Sequence, residues 1–145
     1  MKHLKCRLQA RDEEIIEFLN NCKCADTKTL SNIFFGGGLR TAQLRLQKLQ
    51  CNDYIKAFRP GLLEQNIYYV KHKPKSYKHA IKVSQFIGEL YKLGIEVIKY
   101  RVPYKLNNII ADGLFVIRFN NEVKILFLEV ELTKYFNLTK YQDLY

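Results

Sequence analysis

The spacing of apolar and polar residues in the first half of the chain predicts three short helices. Apolar residues recur at helical spacing over residues 11–23, and acidic residues stand in the first turn, where they favour the helix dipole. A second helix can begin at Asp26 or Thr27, which are good N-caps, and must end at the glycines of residues 36–38. A third helix fits residues 39–51.

Two strand-like segments follow the third helix. Residues 54–58 and 66–70 are rich in aromatic and β-branched side chains, and a Pro-Gly pair lies between them. Three helices followed by a hairpin are typical of a winged helix-turn-helix, so residues 1–70 are predicted to form such a DNA-binding domain. Residues 71–78 are basic and polar and are interpreted as a linker.

The second half shows a different pattern, which predicts a small α/β domain over residues 79–145. A helix fits residues 79–93 and ends at Gly94. The predicted strands are residues 96–101, 109–119 and 123–131. A last helix can begin near Thr133 or Lys134. The expected fold class is therefore α+β, with a winged helix followed by an α-β-β-β-α domain.

Charge changes the picture from a generic α+β protein to a candidate polyanion binder. The net charge is +10. Residues 1–78 hold 15 of the 24 basic side chains and only 7 acidic ones. A one-sided basic segment attracts nucleic acid first and anionic membranes second, and no apolar segment is long enough to cross a bilayer. Double-stranded DNA is the predicted partner.

The third helix supplies the predicted DNA-reading surface. Ala42, Leu46 and Leu49 share one face at the helical repeat, so they are expected to pack inward. Donor-rich side chains occupy the opposite face, where base edges and phosphates accept hydrogen bonds. The predicted DNA contacts are Arg40, Thr41, Leu44, Arg45, Gln47 and Lys48 on the helix, with Lys56 and Arg59 on the hairpin.

Acidic residues in apolar strands give the second half a possible chemistry of its own. Asp112 lies in one predicted strand, and Glu129 and Glu131 lie in the next on one face of the sheet. Oxygen ligands of this kind suit Mg²⁺ or Mn²⁺, which could activate water for phosphodiester cleavage. The pattern partly resembles the PD-(D/E)xK nuclease core, although an acid replaces the usual lysine. Lys134 or Lys140 is the candidate substitute, and Lys140 is the one assigned to the catalytic set with Asp112, Glu129 and Glu131. Structural pairing of the same acids is the alternative, and DNA binding itself requires no cofactor.

Taken end to end, the chain resembles the replication-relaxation family of plasmid and mobile-element proteins. The motifs that support the resemblance are Arg11-Asp12, Thr29-Leu30, Leu46-Gln47-Lys48-Leu49 before Tyr54-Ile55, Tyr68-Tyr69-Val70, His79, Ile110-Ala111-Asp112-Gly113, Phe127-Leu128-Glu129-Val130-Glu131, and Lys140 followed by Tyr145. The resemblance implies a role in replication, maintenance or regulation of a plasmid, phage or other mobile element through binding of double-stranded DNA.

The sequence disfavours a zinc finger and a DNA-nicking relaxase, and it leaves an adaptor role open. The four cysteines lack zinc-finger spacing, and the three histidines lack the pairing that a DNA-nicking relaxase requires. With no export signal in the sequence, the expected location is the cytoplasm. A homodimer is expected because winged helices commonly bind palindromic sites. A protein–protein adaptor that docks a replication or partition partner is a further alternative.

Overall fold

The fold is described from a computed structural model, which describes residues 5–132 of the chain. The helices are α1 (Ala10–Cys22), α2 (Thr27–Phe34), α3 (Leu39–Cys51) and α4 (Tyr77–Lys92). The strands are β1 (Ala25–Asp26), β2 (Lys56–Phe58), β3 (Ile67–Tyr69), β4 (Glu96–Arg101), β5 (Tyr104–Leu106), β6 (Ile109–Ala111), β7 (Gly113–Phe119) and β8 (Glu122–Leu128). The predicted helix near Thr133 lies outside the described residues.

Local side-chain chemistry sets the limits of the first helices. A carboxylate oxygen of Asp12 accepts a hydrogen bond from the Gln9 backbone N–H at 2.7 Å and fixes the start of α1. Asp26 is the N-cap of α2, and its Oδ1 accepts from the Thr29 N–H at 2.8 Å. Gly36 and Gly37 then adopt positive φ angles of 57° and 84°, which end α2 and turn the chain towards α3.

The first sheet has the antiparallel strand order β1-β3-β2. Tyr68 in the central strand pairs with Ala25 on one side and with Ala57 on the other. The hairpin was predicted from the sequence, whereas β1 was not, because a strand of two residues has no periodicity to detect. β1 lies between α1 and α2 in the chain and forms one edge of the sheet. Its pairing with β3 joins the segment between these helices to the hairpin.

Helix α4 belongs to the first compact unit, and this finding moves the predicted domain boundary. Ala80 and Ile81 of α4 pack against Ile67 and Cys24 in one buried cluster. α4 also approaches α2 closely, since a Cβ placed on Gly88 would lie 3.1 Å from Cγ2 of Thr29. The chain divides after Gly94, so residues 71–78 connect elements of the first unit and do not separate two domains.

The second unit begins at Ile95 and is built on an antiparallel sheet of order β4-β7-β8. The short hairpin β5-β6 is inserted between β4 and β7. The long strand predicted over residues 109–119 is interrupted at Asp112, where the chain leaves the hairpin and joins the sheet. The structure therefore confirms a mixed α+β chain with small antiparallel sheets. No helix within residues 5–132 combines the length and the apolar character that a bilayer crossing requires.

Candidate nucleic-acid interface

The third helix has the orientation that its sequence pattern predicts. Ala42, Leu46 and Leu49 are fully buried in the first unit. The exposed side chains on the remaining surface of α3 include those of Arg40, Thr41, Leu44, Gln47 and Lys48. The helix thus presents a polar and basic surface with two exposed leucines, Leu44 among these side chains and Leu39 at the start of the helix. A surface of this composition can donate hydrogen bonds to base edges and phosphates.

A side-chain hydrogen bond caps the C-terminal end of α3. The Asn52 side-chain amide donates to the Lys48 carbonyl at 2.7 Å. Backbone carbonyls at the end of a helix have no partner within the helix, so this bond stabilises the terminal turn that displays Lys48.

Arg45 differs from the other predicted DNA contacts because it is committed to the interior. Its Nε donates to Oδ1 of Asp12 at 2.9 Å, and its Nη2 pairs with Oδ2 of the same carboxylate. The Asp12 side chain is fully buried. The hydrogen-bonded guanidinium lowers the pKa of Asp12, and the carboxylate raises the pKa of Arg45. Arg45 therefore joins α3 to α1, a role that its position on the helix surface did not reveal.

The β2–β3 loop is fixed to the start of α2. The Lys28 backbone N–H donates to Oε1 of Gln65 at 2.8 Å, and the Thr27 hydroxyl donates to the Asn66 carbonyl at 3.4 Å. The exposed Arg59 donates from Nε to Oδ1 of Asn66 at 3.3 Å. Lys56 is also exposed, on β2. The hairpin thus carries two exposed cations, Lys56 on β2 and Arg59 in the β2–β3 loop. Hydrogen bonds to the start of α2 fix the base of that loop.

A second basic segment, which sequence reasoning missed, lies beside the end of α3. The Cys6 N–H donates to Oδ1 of Asn52 at 2.9 Å, and the Tyr54 hydroxyl donates to the Cys6 carbonyl at 2.9 Å. The exposed Lys5 lies 5.2 Å above the Tyr54 ring, and Arg7 is exposed nearby in the chain. The only signal in the sequence was a local excess of charge.

Asp112 has a structural role in the second unit, where it joins two strands. Asp112 Oδ2 accepts a hydrogen bond from the Val130 N–H at 2.6 Å, and the Asp112 N–H donates to the Leu128 carbonyl at 3.1 Å. Asp112 thereby extends the β7–β8 pairing by one step. Glu129 is partly buried and Glu131 is exposed. Within residues 5–132, no three His, Cys, Asp or Glu side chains are grouped as a metal site would require. Lys140 lies outside the described residues.

The Cys24 thiol of the first unit is buried. Burial raises the pKa of the Cys24 thiol to about 12, and the nearby Asp26 carboxylate adds to this effect. At neutral pH this thiol is therefore protonated and a poor nucleophile. Cys22 is also buried, whereas Cys51 is exposed at the end of α3.

Comparisons with protein-family models, with curated proteins and with solved structures found no match to this chain.

Proposed function

We propose that this chain is a double-stranded DNA-binding protein whose first unit acts as a winged helix-turn-helix. The observation that supports it best is the division of α3 into a fully buried apolar face and an exposed face with Arg40, Gln47 and Lys48. A helix of this kind can enter the major groove, where each base pair presents a distinct pattern of donors and acceptors.

The order of elements adds support. The chain runs α1-β1-α2-α3-β2-β3, and the hairpin that follows α3 pairs back onto β1. In winged helices the hairpin lies against the DNA backbone beside the recognition helix. Lys56 and Arg59 are exposed on that hairpin and are the proposed phosphate contacts. Replication, maintenance or regulation of a mobile element is the process that the family resemblance suggests, and it stays a prediction.

The proposal is tested by fluorescence anisotropy on a mixed-sequence duplex at several salt concentrations. Combining Arg40→Ala with Lys48→Ala is expected to weaken binding about tenfold or more, because the two lost cations would no longer neutralise phosphates and release counterions. The slope of log affinity against log salt should also fall by about 1 for each phosphate contact removed. The matched control combines Lys82→Ala with Lys92→Ala, which removes the same charge from exposed positions of α4. Equal losses of affinity in both variants would mean that binding depends on the total positive charge and not on the surface of α3.

The nuclease alternative is tested on supercoiled plasmid with EDTA or with Mn²⁺, using wild type and Glu129→Ala. The binding proposal expects retardation that weakens with salt and no nicked product under either condition. Nicking that requires Mn²⁺ and disappears in Glu129→Ala would replace the proposal with metal-dependent cleavage.

A second candidate function for the second unit is contact with another protein, either a second copy or a replication or partition partner. The observation that favours it is the exposed apolar row Val123, Ile125 and Phe127 on β8, which is an edge strand of its sheet. Sedimentation velocity of wild type and Ile125→Asp tests the homodimer. A dimer that dissociates in the variant supports this candidate, and a monomeric wild type excludes self-association through β8.

A further inference from the structure

The tip of the β2–β3 loop carries two leucines without any apolar surroundings. Leu62 is 93% exposed and Leu63 is 102% exposed, whereas Leu93, the next most exposed large apolar side chain among the described residues, is 70% exposed. A single exposed leucine is ordinary, but an adjacent, fully exposed pair leaves its whole apolar surface in water. Such a pair indicates a binding partner.

The loop holds this tip in place and directs it away from the unit. The Glu64 N–H donates to the Gly61 carbonyl at 3.2 Å, so the two leucines are the central residues of a tight turn. Below the turn, Arg59 bonds to Asn66, and Gln65 accepts from the backbone at the start of α2. The leucines therefore stand on a braced projection, which lowers the entropic cost of inserting them into a partner.

The size of the tip and the charge around it favour nucleic acid over protein. A stable protein interface buries about 800 Å² on each partner and involves about 20–30 residues on each side, far more than two side chains supply. Proteins that bend DNA commonly insert apolar side chains such as leucine between base steps from the minor groove. Arg59 and Lys56 place positive charge on the same hairpin, and Glu64 is the only acidic residue of the loop.

We propose that Leu62 and Leu63 form an apolar wedge that enters the minor groove, unstacks a base step and bends the duplex. This inference rests on the proposed DNA binding and adds a second function to it, because bending changes the shape of the bound DNA. The wedge and the surface of α3 act separately, since α3 and the cations supply affinity and the leucines supply deformation. Steps such as TA and CA, which unstack most easily, are the expected insertion points.

The test is ligase-mediated cyclisation of a mixed-sequence fragment of about 100 bp, which is shorter than the DNA persistence length of about 150 bp and closes poorly by itself. Full-length wild type is expected to raise the yield of circles several-fold. The double variant Leu62→Ser with Leu63→Ser should return the yield to the protein-free value. Its affinity for linear duplex in anisotropy should stay within about threefold of wild type, because phosphate contacts supply most of the binding.

Leu93→Ser is the matched control, since it removes an exposed leucine from the same unit at the end of α4. It should cyclise DNA as wild type does. Circle yields that are equal for wild type and the double variant would overturn the wedge while leaving DNA binding intact. A wild type that binds no duplex would overturn the wedge together with the proposed function.

Two further readouts exclude other partners for the tip. Flotation with phosphatidylserine vesicles should recover the wild type and the double variant equally, because any attraction to these anionic lipids comes from the basic side chains that both proteins keep. Vesicle binding that the double variant loses would overturn the proposal in favour of a membrane surface. Sedimentation velocity should give wild type and double variant the same mass, and a loss of self-association in the variant would assign the leucines to a second copy instead.

Discussion

The two units of the chain differ in how many of their apolar side chains are buried. In the first unit, helices pack on the sheet, and Ile15, Leu19 and Leu46 of α1 and α3 are enclosed. The fully exposed apolar side chains of this unit are Leu62 and Leu63 in the β2–β3 loop. In the second unit, the buried apolar side chains of the described residues are Ala111, Phe115 and Ile117. There, β8 exposes Val123, Ile125 and Phe127.

This difference separates two kinds of surface. The first unit encloses its core with its own elements, so its exposed face can be polar and basic, as binding to a polyanion requires. Within the described residues, the sheet of the second unit exposes an apolar row on β8. Such a row can contact another apolar surface. The following experiments test the packing of the first unit and the exposure of the apolar row in the second.

The largest effect is expected from truncation at the two candidate boundaries. A fragment of residues 1–94 should unfold cooperatively on heating, because it retains α4 over Ile67 and Cys24. A fragment of residues 1–78 lacks nearly all of α4 and exposes that cluster, so it should show no cooperative transition. Circular dichroism during heating measures both fragments. A well-folded fragment 1–78 would return the boundary to the linker that the sequence predicted.

Arg45→Ala is expected to cost about 3–5 kcal/mol of the free energy of unfolding, because it leaves the buried Asp12 carboxylate unpaired. Arg40→Ala removes the same charge from an exposed position of α3 and should change stability by less than about 0.5 kcal/mol while weakening DNA binding. Urea titrations of both variants measure the difference. Similar losses of stability would show that Arg45 is an ordinary surface residue.

The same ion pair gives the first unit a defined response to acid. Because the folded-state pKa of Asp12 lies below its ordinary value of 3.8, the stabilisation is fully present above that value and is lost as the pH falls through the folded pKa. In Asp12→Asn this pH-dependent contribution should be absent. Unfolding free energies measured from neutral pH down to strong acid, at constant salt, compare the two proteins. Parallel curves would contradict the assignment.

Two isoleucines of the second unit test whether its apolar row is an uncovered surface. Ile117 on β7 is 5% exposed and Ile125 on β8 is 64% exposed. Ile117→Ala should cost about 2–5 kcal/mol through the cavity that it leaves. Ile125→Ala should change the stability of the dilute protein by less than about 0.5 kcal/mol. A large loss for Ile125→Ala would mean that β8 belongs to a core.

The smallest effect is expected at the close approach of α2 and α4. Gly88→Val should cost about 1–3 kcal/mol, because the added side chain meets both Cγ2 and the Cα of Thr29. Glu89→Ala, at the exposed position next in the same helix, is the control and should be nearly neutral. Combining Gly88→Val with Thr29→Ser should recover part of the loss. Thermal melts of the three variants and the wild type rank their stabilities. A Gly88→Val variant as stable as the wild type would contradict tight packing of α2 against α4.

The regular helices of the first unit were predictable because their periodicity is long enough to identify a face. The burial of Ala42, Leu46 and Leu49 follows from their spacing alone and is confirmed. The strand β1 was missed because two residues show no periodicity. The hairpin β5-β6 was missed because its second strand was merged into the long strand predicted over residues 109–119. The interruption at Asp112 was also missed, because apolar residues continue on both sides of it.

The sequence by itself determined the helical faces of the first unit, the site of the basic surface and the mixed α+β class, because these depend on local spacing and on charge. Only the tertiary structure decided which polar residues are structural. Arg45 and Lys48 look alike in the sequence, yet Arg45 pairs with a carboxylate 33 positions away while Lys48 stays exposed. Tertiary structure also placed α4 in the first unit, since the fit of Gly88 against Thr29 is a contact between distant segments. Spacing along a chain records local order, and contacts between distant residues depend on the complete fold.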